Sequence, residues 1–273
     1  MPKLEQTRSI SRYGLSQVTI IFKDGTDIYW ARQLINQRLQ EAQAELPNDI
    51  APTMSPISTG LGEIYQWVIK AEPNAKKPDG TAYTAMDLRE IQDWIVRPQL
   101  QRVTGVAEVN SIGGYNKTYV VTPDLNRLQQ LQIPLSDLQT ALTENNENRG
   151  AGFIESNGQQ MTVRVPGTLN SIEDIQNISL ANKNGFPIRV ADVATVSIGH
   201  DLRTGGATYN GEEAVLGIAM MMMGENSRTV AKAVDAKVKA IQQSLPKGVV
   251  IETVYDRTDL VERAISTVQK NLV

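Results

Sequence analysis

"VTIIFKDGTDIYWARQLINQRLQEAQAELPNDI" (residues 18–50) recurs in pattern as "GIAMMMMGENSRTVAKAVDAKVKAIQQSLPKGV" (217–249), without a gap and at an offset of 199. Gly25 falls on Gly224, Leu46 on Leu245 and Pro47 on Pro246, while Ile35, Leu39 and Ala42 fall on Val234, Val238 and Ile241. Each copy reads as a strand, a glycine turn, a capped helix, and a second strand after Leu-Pro. In the first helix Ala31, Leu34, Ile35, Leu39, Ala42 and Leu46 make an apolar stripe against an otherwise polar surface. Asp27 or Thr26 can cap it, and Asn226 or Ser227 can cap its twin. A unit this short cannot bury its apolar face alone, so each copy needs partner elements.

A partner for the second copy lies upstream of it. "EIYQWVIKA" (63–71) reads as a strand and "TAMDLREIQDWIVRPQLQRV" (84–103) as a helix that Thr84 and Asp87 open with a capping box. Pro98 should kink that helix. "GVAEVNSIG" (105–113) reads as a second strand. With 207–254 these make two β-α-β halves, a split ferredoxin-like arrangement in an α+β fold. No such half precedes residue 18, so the sequence is expected to begin midway through a similar first subdomain. Gly113-Gly114 and Gly205-Gly206 bracket an insertion and read as hinges. The insertion holds a strand ("KTYVVT"), a helical pair and a polar excursion over 143–160. Strands "MTVRVPG", "NISLAN" and "PIRVADVATVSIG" follow, with a hairpin turn at 182–185.

Composition excludes several classes. The 27 basic and 30 acidic residues leave no basic excess for nucleic acid. With no cysteine and one histidine, thiolate metal sites, disulfides and Cys nucleophiles are ruled out, and no catalytic triad can be assembled. We expect no catalytic residues, no resident cofactor and no enzyme activity. No stretch reaches the roughly 18 apolar residues of a membrane span, and "MPKLEQTRSISRYG" lacks the apolar centre of a signal peptide.

"RSISRYGLSQVTIIFKDGTDIYWARQLINQRLQ", "STGLGEIYQWVIK", "GVAEVNSIGG" and "YDRTDLVERAI", in this order, resemble the heavy-metal branch of the resistance–nodulation–division efflux pumps, and the cobalt–zinc–cadmium type within it. The resemblance implies the first large periplasmic loop of an inner-membrane pump. On it, 1–58 would end a first, incomplete porter subdomain, 59–114 and 206–262 would form the halves of a second, 115–205 would be an inserted docking subdomain, and 263–273 would lead to a transmembrane segment. It also implies a proton-driven homotrimer working with a periplasmic adaptor and an outer-membrane channel to export a divalent cation. The competing expectation is a stand-alone periplasmic module that binds metal or a partner without pumping.

Two ligand sets follow. Met220 to Met223 cannot converge on one ion from a strand, because successive side chains alternate faces. The run reads as core and strand-end packing, with Met221 and Met223 the pair on one face that a soft ion would use. Harder ions prefer carboxylate and imidazole. Glu63 opens the first strand of the complete subdomain, and Glu108 shares a strand face with Val106, Asn110 and Ile112. A strand glutamate is depleted and costly to bury, so it needs a reason such as an aqueous cleft. The resemblance supplies one, since these strands would border the substrate cleft. His200, in "SIGHDLRTGG", reads as a solvated loop residue rather than a ligand.

Overall fold

Matching caps start matching helices in the two copies of the repeat. The structure is a computed structural model that describes residues 1–273 apart from 48–49, 59, 147–148, 157–158, 166–168, 184, 204 and 273. The chain forms two compact units, Met1–Ile57 and Ser58–Val273.

In the first unit, β1 (Leu4–Arg12) and β2 (Leu15–Phe22) form an antiparallel hairpin, with Arg12 opposite Leu15 and Gly14 at φ +75° in the turn. The sequence pattern shows β2 but not β1, whose "LEQTRSISR" is almost wholly polar and exposed. Asp27 then accepts a hydrogen bond from the Trp30 N–H (2.7 Å) and caps α1 (Ile28–Gln43). The strand expected after Leu46-Pro47 does not form among the described residues. Pro52 and Pro56 have no N–H to give a ladder, and among the described residues the sheet of the first unit is the β1–β2 hairpin alone.

The second unit begins with β3 (Glu63–Ala71) and α2 (Ala85–Ile91). Thr84 and Asp87 form the expected capping box. Burial works against the Asp87 carboxylate, yet hydrogen bonds from Thr84 and Lys77 hold it below the ordinary carboxylate range. The expected kink takes the form of a π-turn (Gln92–Val96) followed by α3 (Arg97–Leu100). Pro98 has no N–H for the ladder, and just ahead of it the Arg97 N–H reaches back five residues to the Gln92 carbonyl. β4 (Val106–Ile112) completes this half.

The insertion leaves on β5 (Lys117–Pro123) and carries α4 (Leu125–Gln130) and α5 (Leu135–Glu144). β6 (Arg149–Ser156) and β7 (Gln159–Val165) then form an antiparallel hairpin. That hairpin occupies the polar excursion, of which 147–148 and 157–158 lie outside the described residues. After α6 (Ile172–Gln176) come β8 (Ser179–Lys183) and β9 (Phe186–Arg189), paired across a turn in which Gly185 has φ +83° and residue 184 lies outside the description. The single strand expected over 187–199 is interrupted by a helical turn, α7 (Val190–Val193), where Asp192 accepts from the Arg189 N–H at 2.7 Å. β10 (Ala194–His200) returns antiparallel to β5, with Lys117 opposite His200.

The second half of the split sheet is β11 (Ala207–Tyr209), β12 (Glu212–Met221), α8 (Ser227–Gln242) and β13 (Val249–Asp256), with α9 (Arg257–Leu272) beyond. α8 occupies the residues of α1 shifted by 199, and Asn226 caps it through the Thr229 N–H (3.1 Å). Strand order is β13-β3-β12-β4, with β11 on the start of β12 beside β4. Two β-α-β units thus interleave, and their helices cover one face. Trp67, Ile69, Val109, Val215 and Ala219 on that face pack with Leu88, Val96, Leu100, Val230, Val234 and Ile241. Tyr65 joins them, its hydroxyl bonded to Asp235 (2.9 Å) and Thr253 (2.7 Å), and burial pushes its phenol well up from the ordinary value.

Trp67, Gly217 and Ser111 stand in one row across β3, β12 and β4. The fully buried Gln92 spans that row. Its amide oxygen accepts from Trp67 Nε1 (3.0 Å) and its nitrogen donates to Ser111 Oγ (3.2 Å). Only glycine fits between, since a Cβ on Gly217 would lie 2.2 Å from the indole Cε2. Gly217→Ala should therefore lower unfolding stability in urea by about 1–3 kcal/mol through overpacking. An unchanged midpoint would show that the indole can move aside.

Candidate functional site

Glu63 and Glu108 meet at one methionine. Across the sheet Met220 pairs with Glu63 of β3 on one side and with Glu108 of β4 on the other. Adjacent strands lie about 4.8 Å apart, so the two glutamate Cα atoms stand about 10 Å apart with the Met220 thioether between them. Two extended glutamate side chains can span that distance to a shared ion.

One of two register shifts near the end of β12 creates the row by bringing Glu63 opposite Met220, whereas Glu108 falls opposite it in unbroken register. Between Ala219 and Met220 the pairing with β3 skips Ile64, and between Met220 and Met221 the pairing with β4 skips Ala107. Each shift adds a residue to one strand, so alternation breaks there. This corrects the expected face of Glu108. Val106 does not share it but turns into the helix-packed core, while Glu108, Asn110 and Ile112 stay on the other face. The next row along is Gln66, Ile218 and Asn110. Gln66 Nε2 donates to Glu63 Oε2 (3.2 Å) and fixes that carboxylate.

The rest of the methionine run goes elsewhere. Met221 packs against the core under the helices. Met222 is held by its backbone, its N–H donating to the Gly105 carbonyl at 2.8 Å. Met223 lies past the strand end, half exposed, before Gly224 turns the chain at φ +90°. Met221 and Met223 are therefore not brought together on one strand face, because the strand ends between them. Among the described residues no three His, Asp or Glu side chains gather into a metal-binding group. The Glu63–Met220–Glu108 row offers two carboxylates and a thioether, part of a coordination shell and no more.

His200 sits at the end of β10, exposed, with Nδ1 3.0 Å from the Asp201 carbonyl and its ring 4.7 Å from that of Tyr115. With Lys77, Asp87, Lys117 and Glu213 it lines an open cleft of about 650 Å³ between α2 and the insertion. Lys77 already pairs with Asp87 there (3.1 Å), which leaves little unused polar capacity.

Met220 and Gln66 could not be read as site residues from the sequence. Alternation within one strand shows which residues share a face, but not which residue of a neighbouring strand stands opposite. The one available signal was the pair of glutamates in otherwise apolar strands.

The AcrB/AcrD/AcrF family matches residues 1–273. The chain belongs to that family. It is 60% identical over 273 residues to the cobalt-zinc-cadmium resistance protein CzcA of Cupriavidus metallidurans, covering 100% of this chain and 26% of that protein. To the cation efflux system protein CusA of Escherichia coli K12 it is 38% identical over 275 residues, with the same two coverages. The crystal structure of a heavy metal efflux pump, crystal form II, superposes with a TM-score of 0.84 at 30% identity, covering 98% of this chain and 26% of that one. The chain thus spans about a quarter of the length of these relatives. No helix among the described residues is long and apolar enough to cross a membrane.

The placement of the methionines makes a stability prediction. Met221→Ala should cost about 1–2 kcal/mol by opening a gap in partly buried core, whereas Met223→Ala should stay within about 0.5 kcal/mol of the parent. Equal effects in urea titrations would contradict the placement.

Proposed function

We propose that this chain is the periplasmic part of a proton-driven heavy-metal cation efflux pump, lying in the first large loop between two transmembrane helices. Residues 1–58 end one porter subdomain, 59–114 and 206–262 make a second, 115–205 form the docking subdomain, and 263–273 lead towards the membrane. The observation that carries this reading is the identity to CzcA across the whole chain, supported by the fold of a crystallised heavy-metal pump. The complete pump would be a homotrimer joined to a periplasmic adaptor and an outer-membrane channel. The β6–β7 hairpin, rich in glycine and polar residues, would reach a neighbouring protomer.

The cargo is a divalent cation of the zinc, cobalt or cadmium kind. Glu63 and Glu108 supply oxygen ligands from one wall of the cleft, and Met220 between them supplies a soft donor that a purely oxygen-bound ion would not need. Gln66 holds Glu63 in place. The opposing ligands come from outside this chain, so the row alone binds weakly. Export moves the ion without making or breaking a covalent bond, which is why the chain needs no nucleophile or acid–base pair.

In cells carrying the full-length pump, Glu63→Gln or Glu108→Gln should lower zinc and cobalt resistance at unchanged protein level. Met221→Leu and Met223→Leu, near-isosteric swaps, should leave resistance intact. Loss of resistance from the Met221 or Met223 swaps, with the glutamate variants silent, would move the site to the strand end.

A further inference from the structure

Both crossings into the insertion carry paired glycines, and both are tied down. At the entry, Gly113 and Gly114 are buried and left-handed, at φ +81° and +66°. A Cβ on Gly113 would lie 2.4 Å from the Ala214 carbonyl oxygen, and one on Gly114 2.8 Å from that of Ala85. These glycines serve close approach to β12 and α2, not freedom of movement. This revises the hinge expected from the sequence.

An arginine holds each crossing. Arg89 of α2 donates through Nη1 to the Gly113 carbonyl (2.7 Å) and through Nε to Asp93 (2.6 Å), and Asp93 accepts from Ser111 Oγ (2.6 Å). Ser111 in turn accepts from Gln92, so the entry crossing is wired to the bridge over Gly217. At the return, Arg203 donates through Nε to the Gly205 carbonyl (2.9 Å), pairs with Glu213 of β12 (2.6 Å) and stacks 5.1 Å from the Tyr115 ring centroid. Tyr115 belongs to the entry linker, so Arg203 binds both linkers and the sheet together. Asn116 and Asp201 add a rung, side chain to side chain at 2.7 Å and the Asp201 N–H to the Asn116 carbonyl at 3.2 Å. Lys117 on β5 also faces Glu90 on α2 at 3.4 Å.

We propose that Arg89 and Arg203 form a two-point clamp that makes the insertion and the split sheet turn as one body. A planar guanidinium suits this task, because it can hold a carbonyl, a carboxylate and a ring face at once, where an ammonium offers a single point charge. Movement imposed on the insertion is then passed to β4 and β12, the strands that carry Glu108 and Met220, and is not absorbed at the glycines. The clamp stands on this geometry whether or not the row between Glu63 and Glu108 binds an ion.

Spin labels test it directly, since the sequence has no cysteine to compete for labelling. One label goes on the insertion at Gln139→Cys and one on α8 at Ala240→Cys, both exposed positions. The parent should give one narrow distance population. Arg203→Ala should broaden it or add a second population, and Arg89→Ala with Arg203→Ala should do so further. Amide exchange at 115–118 should quicken by about tenfold or more, the scale of a lost charge-assisted hydrogen bond. Protected amides in β3 and β12 would certify that the variants stay folded. A parent that is already broad would overturn the clamp, and so would a folded double variant as narrow as the parent. Arg203→Lys should behave like Arg203→Ala. Restored narrowness there would reduce the clamp to simple charge pairing and refute the guanidinium argument.

Discussion

Gln92 fixes the register of the central strand, and most else in the second unit follows from register. Trp67, Gly217 and Ser111 stand abreast on three strands, and the Gln92 amide bonds the outer two over the glycine between them. A slip of β12 by one residue would put Leu216 or Ile218 under the indole and send its core side chains to the other face. The same slip would leave the Trp67 N–H and the Gln92 amide buried without partners, each costing about 1–3 kcal/mol. The π-turn belongs to the same constraint. It wraps the helix just ahead of Pro98, and the stretch it reshapes carries both Gln92 towards Trp67 and Asp93 towards Ser111 and Arg89.

Register then decides the chemistry three residues further along β12. Once Gly217 is fixed between Trp67 and Ser111, unbroken register with β4 puts Glu108 opposite Met220, and one shift against β3 puts Glu63 on its other side. Without the shift against β4, Val106 would share the face of Glu108; without the one against β3, Ile64 would stand opposite Met220 and the row would lose Glu63. The Gly217 row and the candidate site thus share one strand. Substitutions at Trp67 or Gln92 would disturb the candidate site without touching it.

Much of this was legible in the sequence, because it depends on local signals. The gapless repeat located both helices, and of the two cap candidates that the sequence offers for each, Asp27 and Asn226 do the capping. The Thr84–Asp87 capping box and the effect of Pro98 were equally local. What could not be read depends on partners. Among the described residues no strand forms just after Leu46-Pro47, while the twin strand β13 pairs with β3. β1 lacks an apolar face, so no periodicity announces it. The paired glycines were read as hinges because sequence cannot separate a glycine that moves from one that lets backbones touch. Glu63 and Glu108 stood out as charges in strands, but the methionine between them was one of four alike until pairing singled it out.

The central claim is that the row of Glu63, Met220 and Glu108 contacts the transported cation. The most direct measurement is an NMR titration of this chain with cadmium ion, which tolerates the weak affinity of an incomplete site. The account predicts graded shifts at the amides of 63–66, 108–110 and 218–220, and their loss in the Glu63→Gln, Glu108→Gln double variant. Shifts confined to 221–223, or to the cleft around His200, would contradict it.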